Sequence, residues 1–161
     1  METPKNYTEG LNLNILFGNL SIRVSTLVKT QPDPGWHVYP HSHFDYEFHI
    51  IPRGKGIIRI QGSEFTVTGG EFYITGPQII HEQISDAQDP MEEYCLECEI
   101  MAVDGIPDAY ALPLQQERLL TDILSQPYSR PFRDTAGIAG RFEALFREVE
   151  EEPAGFFLKL Q

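Results

Sequence analysis

Between Leu13 and Met101 the chain is a succession of short apolar runs, each stopped by Gly, Pro, Asn or Asp, and this punctuation excludes most folds before any chemistry is considered. Runs at Leu13 to Phe17, Leu20 to Val28, Tyr46 to Ile51, Ile57 to Gln61, Glu64 to Thr68, Glu71 to Thr75, His81 to Ser85 and Glu92 to Met101 read as strands. The turns fall at Gln31 to Gly35, Arg53 to Gly56, Gly62 with Ser63, Gly69 with Gly70, Gly76 with Pro77, and Asp86 to Pro90. So many short strands with regular turns predict a mainly β chain closed into a barrel or jelly roll, not an alternating α/β sheet.

After Met101 the period becomes helical. Asp104 to Pro113 reads as a linker, and Leu120, Ile123 and Leu124 form a short apolar stripe ended by Pro127. A stronger stripe, Ile138, Phe142, Leu145, Phe146 and Val149, predicts a helix capped by Asp134 or Thr135, with its apolar side serving as core or dimer seam. The predicted division is a β-barrel over 1–105 and a helical tail over 106–161. Phe156, Phe157, Leu158 and Leu160 read as the opening of a further helix, so the chain is expected to be a fragment of a longer protein.

Charge narrows the partners. At 161 residues and a net charge of -12, with no Lys or Arg between Arg59 and Arg118, this segment is not expected to grip nucleic acid by itself, because phosphate binding needs clustered cations. The acidic run reads as a solvated surface. Neither a leader nor an apolar run long enough to span a bilayer is present, which gives a cytoplasmic reading and no membrane partner.

The residues that carry chemistry cluster around one run. If a single unbroken strand passes through them, His41, His43, Glu47 and His49 share one face, while Phe44, Tyr46, Phe48 and Ile50 take the other, where a helical layer or second sheet could cover them. Imidazole and carboxylate are ordinary ligands of divalent transition metals, and a three-His, one-Glu set can leave positions open for water or substrate. Without a metal, an inward Glu47 should pair with an imidazole, giving a polar patch suited to a hydroxylated or carboxylated effector. Arg59 and Tyr73 are further candidates for contacting an anionic effector, and His37, beside Trp36, is expected at the surface. Cys95 and Cys98 make a lone CxxC, which in a strand points its two thiols to opposite faces and so reads as ordinary packing. Cys98 falls with Tyr94, Leu96 and Ile100 and is expected to be buried; Cys95 falls with Glu93, Glu97 and Glu99.

Gly35, His41, His43, Glu47 and Gly54 stand at the spacing of the first signature of cupin barrels, and His81 follows Gly70 at the distance of the second. The stretch from Trp36 to Ser85 resembles, more closely, the N-terminal cupin domain of AraC-family transcriptional regulators. The resemblance implies a double-stranded β-helix (jelly roll) followed by C-terminal α-helices that mediate homodimerisation. It also implies a small effector, a sugar or other small metabolite, bound in the barrel by His41, His43, Glu47, His49, His81 and Tyr73. A divalent transition metal would be held by His41, His43, Glu47 and His81. His49, outside the signature, reads as a wall of the pocket. DNA would be contacted only through a helix-turn-helix domain not present in this chain. Two departures stand out: Gly76 precedes Pro77 at the corner of the second signature, and Ser85 takes the place usual for Asn. These retain the fold-forming corner but not the enzyme-like decoration. The alternatives are a cupin metalloenzyme (dioxygenase, isomerase or decarboxylase) and a free-standing metabolite-binding cupin.

Overall fold

The computed structural model describes residues 5–9, 13–31, 33–103, 122 and 130–151. The strands are β1 (Leu13–Phe17), β2 (Leu20–Thr30), β3 (His37–His41), β4 (Tyr46–Ile51), β5 (Lys55–Ile60), β6 (Ser63–Thr68), β7 (Glu71–Thr75), β8 (His81–Ser85), β9 (Glu93–Ala102) and β10 (Phe132–Arg133), followed by helix α1 (Ile138–Glu151). They form a six-stranded sheet, β1-β2-β9-β4-β7-β10, and a four-stranded sheet, β3-β8-β5-β6. The mainly β jelly roll followed by a C-terminal helix agrees with the reading of the turns. Leu120, Ile123 and Leu124, the stripe of the expected short helix, lie outside the described residues. No helix among the described residues is long and apolar enough to cross a membrane.

Strand alternation sends one apolar set between the sheets and another to the outside of the larger sheet. Ile51, Ile58, Ile60, Val67, Tyr73 and Met91 pack inside the barrel. On the outside, Leu27, Ile50 and Tyr94 meet Phe146 of α1, with Phe48, Phe72, Leu96, Ile138 and Phe142 around them. The stripe of α1 therefore serves as core: Phe146 is 2% exposed and its ring lies 5.1 Å from that of Tyr94. The side of β4 opposite its acidic and imidazole groups is covered by this helix at Phe48 and Ile50, as expected, whereas Phe44 is 80% exposed. Beside α1 an apolar groove of about 380 Å³ remains, lined by Phe48, Phe72, Leu96, Cys98 and Phe142.

Asp134 caps α1: Oδ1 accepts the Ile138 amide at 2.9 Å and Oδ2 accepts that of Ala139 at 3.0 Å. Asp134→Ala should cost about 1 kcal/mol, read as a lower urea midpoint at constant slope. Gly54 closes the corner between β4 and β5 at φ +75, where an added Cβ would lie 2.0 Å from the Pro90 carbonyl oxygen. Only glycine fits there without backbone movement. Gly54→Ala should destabilise the barrel by more than about 2 kcal/mol, through both the left-handed backbone and the clash; an unchanged melting temperature would refute the close approach.

β3 was not legible as a strand. It carries Pro40 and lies at the edge of its sheet, where a missing amide is tolerated. Its pairing with β8 shifts register between Val38 and His41.

Candidate metal and ligand site

The expectation of one unbroken strand from His41 to His49 is corrected. β3 ends at His41 and β4 begins at Tyr46. Residues 42–45 form a corner that carries the chain from the smaller sheet to the larger. The four groups nonetheless converge, because the two sheets face each other. β4 supplies Glu47 and His49 from one side. β8 supplies His81 and Gln83 from the other, with His41 directly across from His81 in the β3–β8 pairing. The His41 and His81 rings lie 4.2 Å apart, and those of His43 and His81 5.3 Å apart.

Glu47 is the hub. Its Oε2 lies 2.8 Å from His43 Nε2, 3.0 Å from His81 Nε2 and 3.2 Å from His49 Nε2, and its Oε1 accepts the Cys95 thiol proton at 2.9 Å. Burial alone would push the Glu47 carboxyl up. The charge of His49 and the ring nitrogens of His43, His49 and His81 outweigh that effect and hold it well below the usual carboxylate range. Burial likewise disfavours a charged His49, but the carboxylates of Glu47 and Glu93 on its two sides raise it from 6.5 to about 10.

Each imidazole of the outer set is aimed by its own backbone. His41 Nδ1 donates to the Tyr39 carbonyl at 2.9 Å, His43 Nδ1 to that of Asp45 at 3.0 Å, and His81 Nδ1 to that of Ile79 at 2.9 Å. A carbonyl accepts only, so Nδ1 carries a proton in each ring and Nε2 is turned toward the centre. At His43 the Glu47 carboxylate accepts from Nε2 as well and raises the His43 pKa, and an incoming ion would displace that second proton. The donor atoms of His41, His43, Glu47 and His81 lie within 4.8 Å of one another. His81 Nε2, although within ion-pair distance of Glu47 Oε2, is buried without a hydrogen-bond partner. Convergent Nε2 atoms beside a carboxylate, that of His81 without a hydrogen-bond partner, fit a divalent transition ion.

Deeper in the barrel a second layer of polar contacts supports the first. His49 Nδ1 pairs with Glu93 Oε1 at 2.7 Å, and Gln83 Nε2 donates to Glu93 Oε2 at 2.9 Å. The Tyr73 hydroxyl donates to Gln83 Oε1. Tyr73 also stacks on His49, with ring centres 4.1 Å apart, because the two are register partners across β4 and β7. The structure thus brings His43, Glu47, His49, His81 and Tyr73 together in the barrel, with His41 beside them at its exposed mouth. Arg59 is not among them: it faces outward and binds Glu64 and Glu82, so its expected contact with an effector is corrected. His37, half-buried, joins the same outer network at 2.6 Å from Glu82.

Cys95, Glu93 and Gln83 were missed as site residues. Cys95 and Cys98 do face opposite ways, but the Cys95 side is the barrel interior: Cys95 is 5% and Glu93 3% exposed. The usable signal was parity. An acidic, period-two face on a central strand must point either to solvent or into a polar interior, and β9 lies between β2 and β4. The apolar groove outside the sheet offers no comparable donors.

The family model described as AraC-like ligand binding domain matches residues 24–161. No curated protein matches the chain. Among solved structures, the chain is similar to a cupin protein from Bacteroides fragilis, with 16% identity over 70% of this chain and 90% of that one and a TM-score of 0.46. It is similar also to the polyketide cyclase RemF from Streptomyces resistomycificus, with 14% identity, 68% and 91% coverage and a TM-score of 0.43. A third likeness is to KdgF from Halomonas sp., with 13% identity, 49% and 78% coverage and a TM-score of 0.41.

Proposed function

Because the chain belongs to the AraC-like ligand binding domain family, we propose that its barrel is the sensory part of a transcriptional regulator, binding a small hydroxylated or carboxylated effector whose occupancy controls a DNA-binding domain. The observation that carries this reading is the set of three imidazoles aimed by backbone carbonyls at one buried carboxylate. His41, His43, Glu47 and His81 would hold a divalent transition ion, which when bound supplies Lewis-acid attraction for an oxygen of the effector. The chain's own part is to orient the four donors through Tyr39, Asp45 and Ile79, and to keep water out with Ile58, Ile60 and Tyr73.

Regulation follows from linkage: an effector that binds one arrangement of barrel and tail more tightly raises the population of that arrangement. Pairing of two copies through the helical tail, 106–161, belongs to the same proposal, as does the division at 105/106. Phe142 and Phe146 are committed to the sheet, so the pairing is tested by sedimentation of the unaltered chain, where a monomer at all concentrations would remove it. For the effector, a thermal-shift panel of sugars and small carboxylic acids, with and without zinc, cobalt or nickel, should contain compounds that raise the melting temperature by about 5–10 °C at a hundredfold excess over Kd. A panel in which every compound acts equally on wild type and His81→Ala would count against binding in the barrel.

One observation favours a metalloenzyme as the second reading. His41 is exposed, which leaves one side of the donor set reachable from solvent. Turnover by metal-loaded wild type, lost in His81→Ala, would select it.

A further inference from the structure

The interior donors left over from the outer set form a site of their own. We propose that Glu47 is shared between two metal positions, and that the inner one is a thiol-containing site made by His49 Nε2, Cys95 Sγ and the Glu47 carboxylate. The three donor atoms lie within 4.8 Å of one another, and all three residues are buried. They differ from the outer set in kind, since they add sulfur.

Three features point to an ion there. First, His49 Nε2 is buried at a residue 2% exposed and, although 3.2 Å from Glu47 Oε2, makes no well-formed hydrogen bond, an arrangement that a metal bond would resolve. Second, His49 has the support of a metal-binding histidine: its Nδ1 is held by the Glu93 carboxylate, which is held in turn by Gln83, and its ring plane is fixed against Tyr73. Third, the Glu47 carboxylate reaches both sets, with Oε2 beside His43, His81 and His49 and Oε1 beside Cys95, so its two oxygens can serve two positions. On binding, two protons leave for solvent, the Cys95 thiol proton now donated to Glu47 and the His49 Nε2 proton, so that the sulfur takes the ion as thiolate and Nε2 as a free lone pair while Nδ1 keeps its proton on Glu93. Imidazole, carboxylate and thiolate together suit zinc or cobalt(II) and are poor ligands for magnesium or calcium.

Cobalt(II) gives a direct test, because a thiolate ligand produces a near-ultraviolet sulfur-to-cobalt absorption that imidazole and carboxylate ligands do not. The sequence has two cysteines, and Cys98 lies on the opposite face of β9, beside the outer groove, so the assignment is unambiguous. Titration of the full chain should give two bound cobalt ions and this absorption. Cys95→Ser should abolish the absorption and lower the stoichiometry to one, while Cys98→Ser and His81→Ala should keep the absorption. His49→Gln should weaken the sulfur-linked equivalent by at least about 10-fold. Cobalt bound to the wild-type chain without the sulfur absorption, or an absorption that survives Cys95→Ser, would overturn the proposal. The wild-type result alone decides, even should a variant fail to fold. A sulfur-free single cobalt site would leave the effector reading of the outer donors standing.

Discussion

Replacing Glu47 by glutamine should cost about 3–5 kcal/mol of folding stability and weaken divalent-ion binding by more than about 100-fold. Both effects come from the position of one carboxylate. Glu47 is 7% exposed, and its oxygens meet His43, His81, His49 and Cys95 within 3.2 Å. An amide of the same shape fills the space but carries no charge. His49, whose protonated form depends on Glu47 and Glu93 together, then loses one of its two counter-charges in a fully enclosed position. Removing one partner of a buried pair leaves the other uncompensated, which is far more costly than never having had the pair. Urea denaturation and calorimetric titration with zinc measure the two losses. A Glu47→Gln protein within about 0.5 kcal/mol of wild type would show that the imidazoles do not depend on this carboxylate.

The second large effect is expected outside the barrel. Phe146→Ala should lower stability by about 3–5 kcal/mol, the range for truncating a buried aromatic side chain. Its ring lies 4.7 Å from that of Tyr7 and 5.1 Å from that of Tyr94, so it joins the N-terminal segment, the larger sheet and α1. Emptying this position removes contacts from three elements at once, and the polar outer side of α1 offers no replacement. The same substitution should leave zinc binding to the outer donors nearly unchanged, since the sheet separates Phe146 from Glu47. A loss below about 1 kcal/mol would mean that the helix is not anchored by this ring.

The barrel was legible because its information is local. Turn residues and alternation mark β1, β2, β4, β6, β7, β8 and β9 within a few residues, and the apolar stripe with Asp134 marks α1. Where the reading failed, the deciding fact was not local. β3 contains Pro40 and resembles a loop until its place at a sheet edge is known. The parity argument brought His41 and Glu47 to one face by assuming a continuous strand, but the chain turns through 42–45 and reunites them across two sheets instead. The convergence was right and its cause was different. Cys95 shows the opposite case: alternation placed it with Glu93 and Glu97, and an acidic face was read as outward. β9 is a central strand whose inner face looks into a polar interior, and only the pairing of Cys95 with His49 across β4 reveals that. Arg59 was misplaced for want of the same information, because outward and inward positions on β5 are fixed by Ile58 and Ile60 packing inside.

The central claim is that His41, His43, Glu47 and His81 form one ligand-holding centre inside the barrel. Anomalous scattering from crystals of the chain soaked in zinc tests it most directly. The account predicts a peak bonded to the Nε2 atoms of His43 and His81 and to Glu47. Crystals that take up zinc only at surface carboxylates, with these rings unchanged around an empty centre, would contradict it.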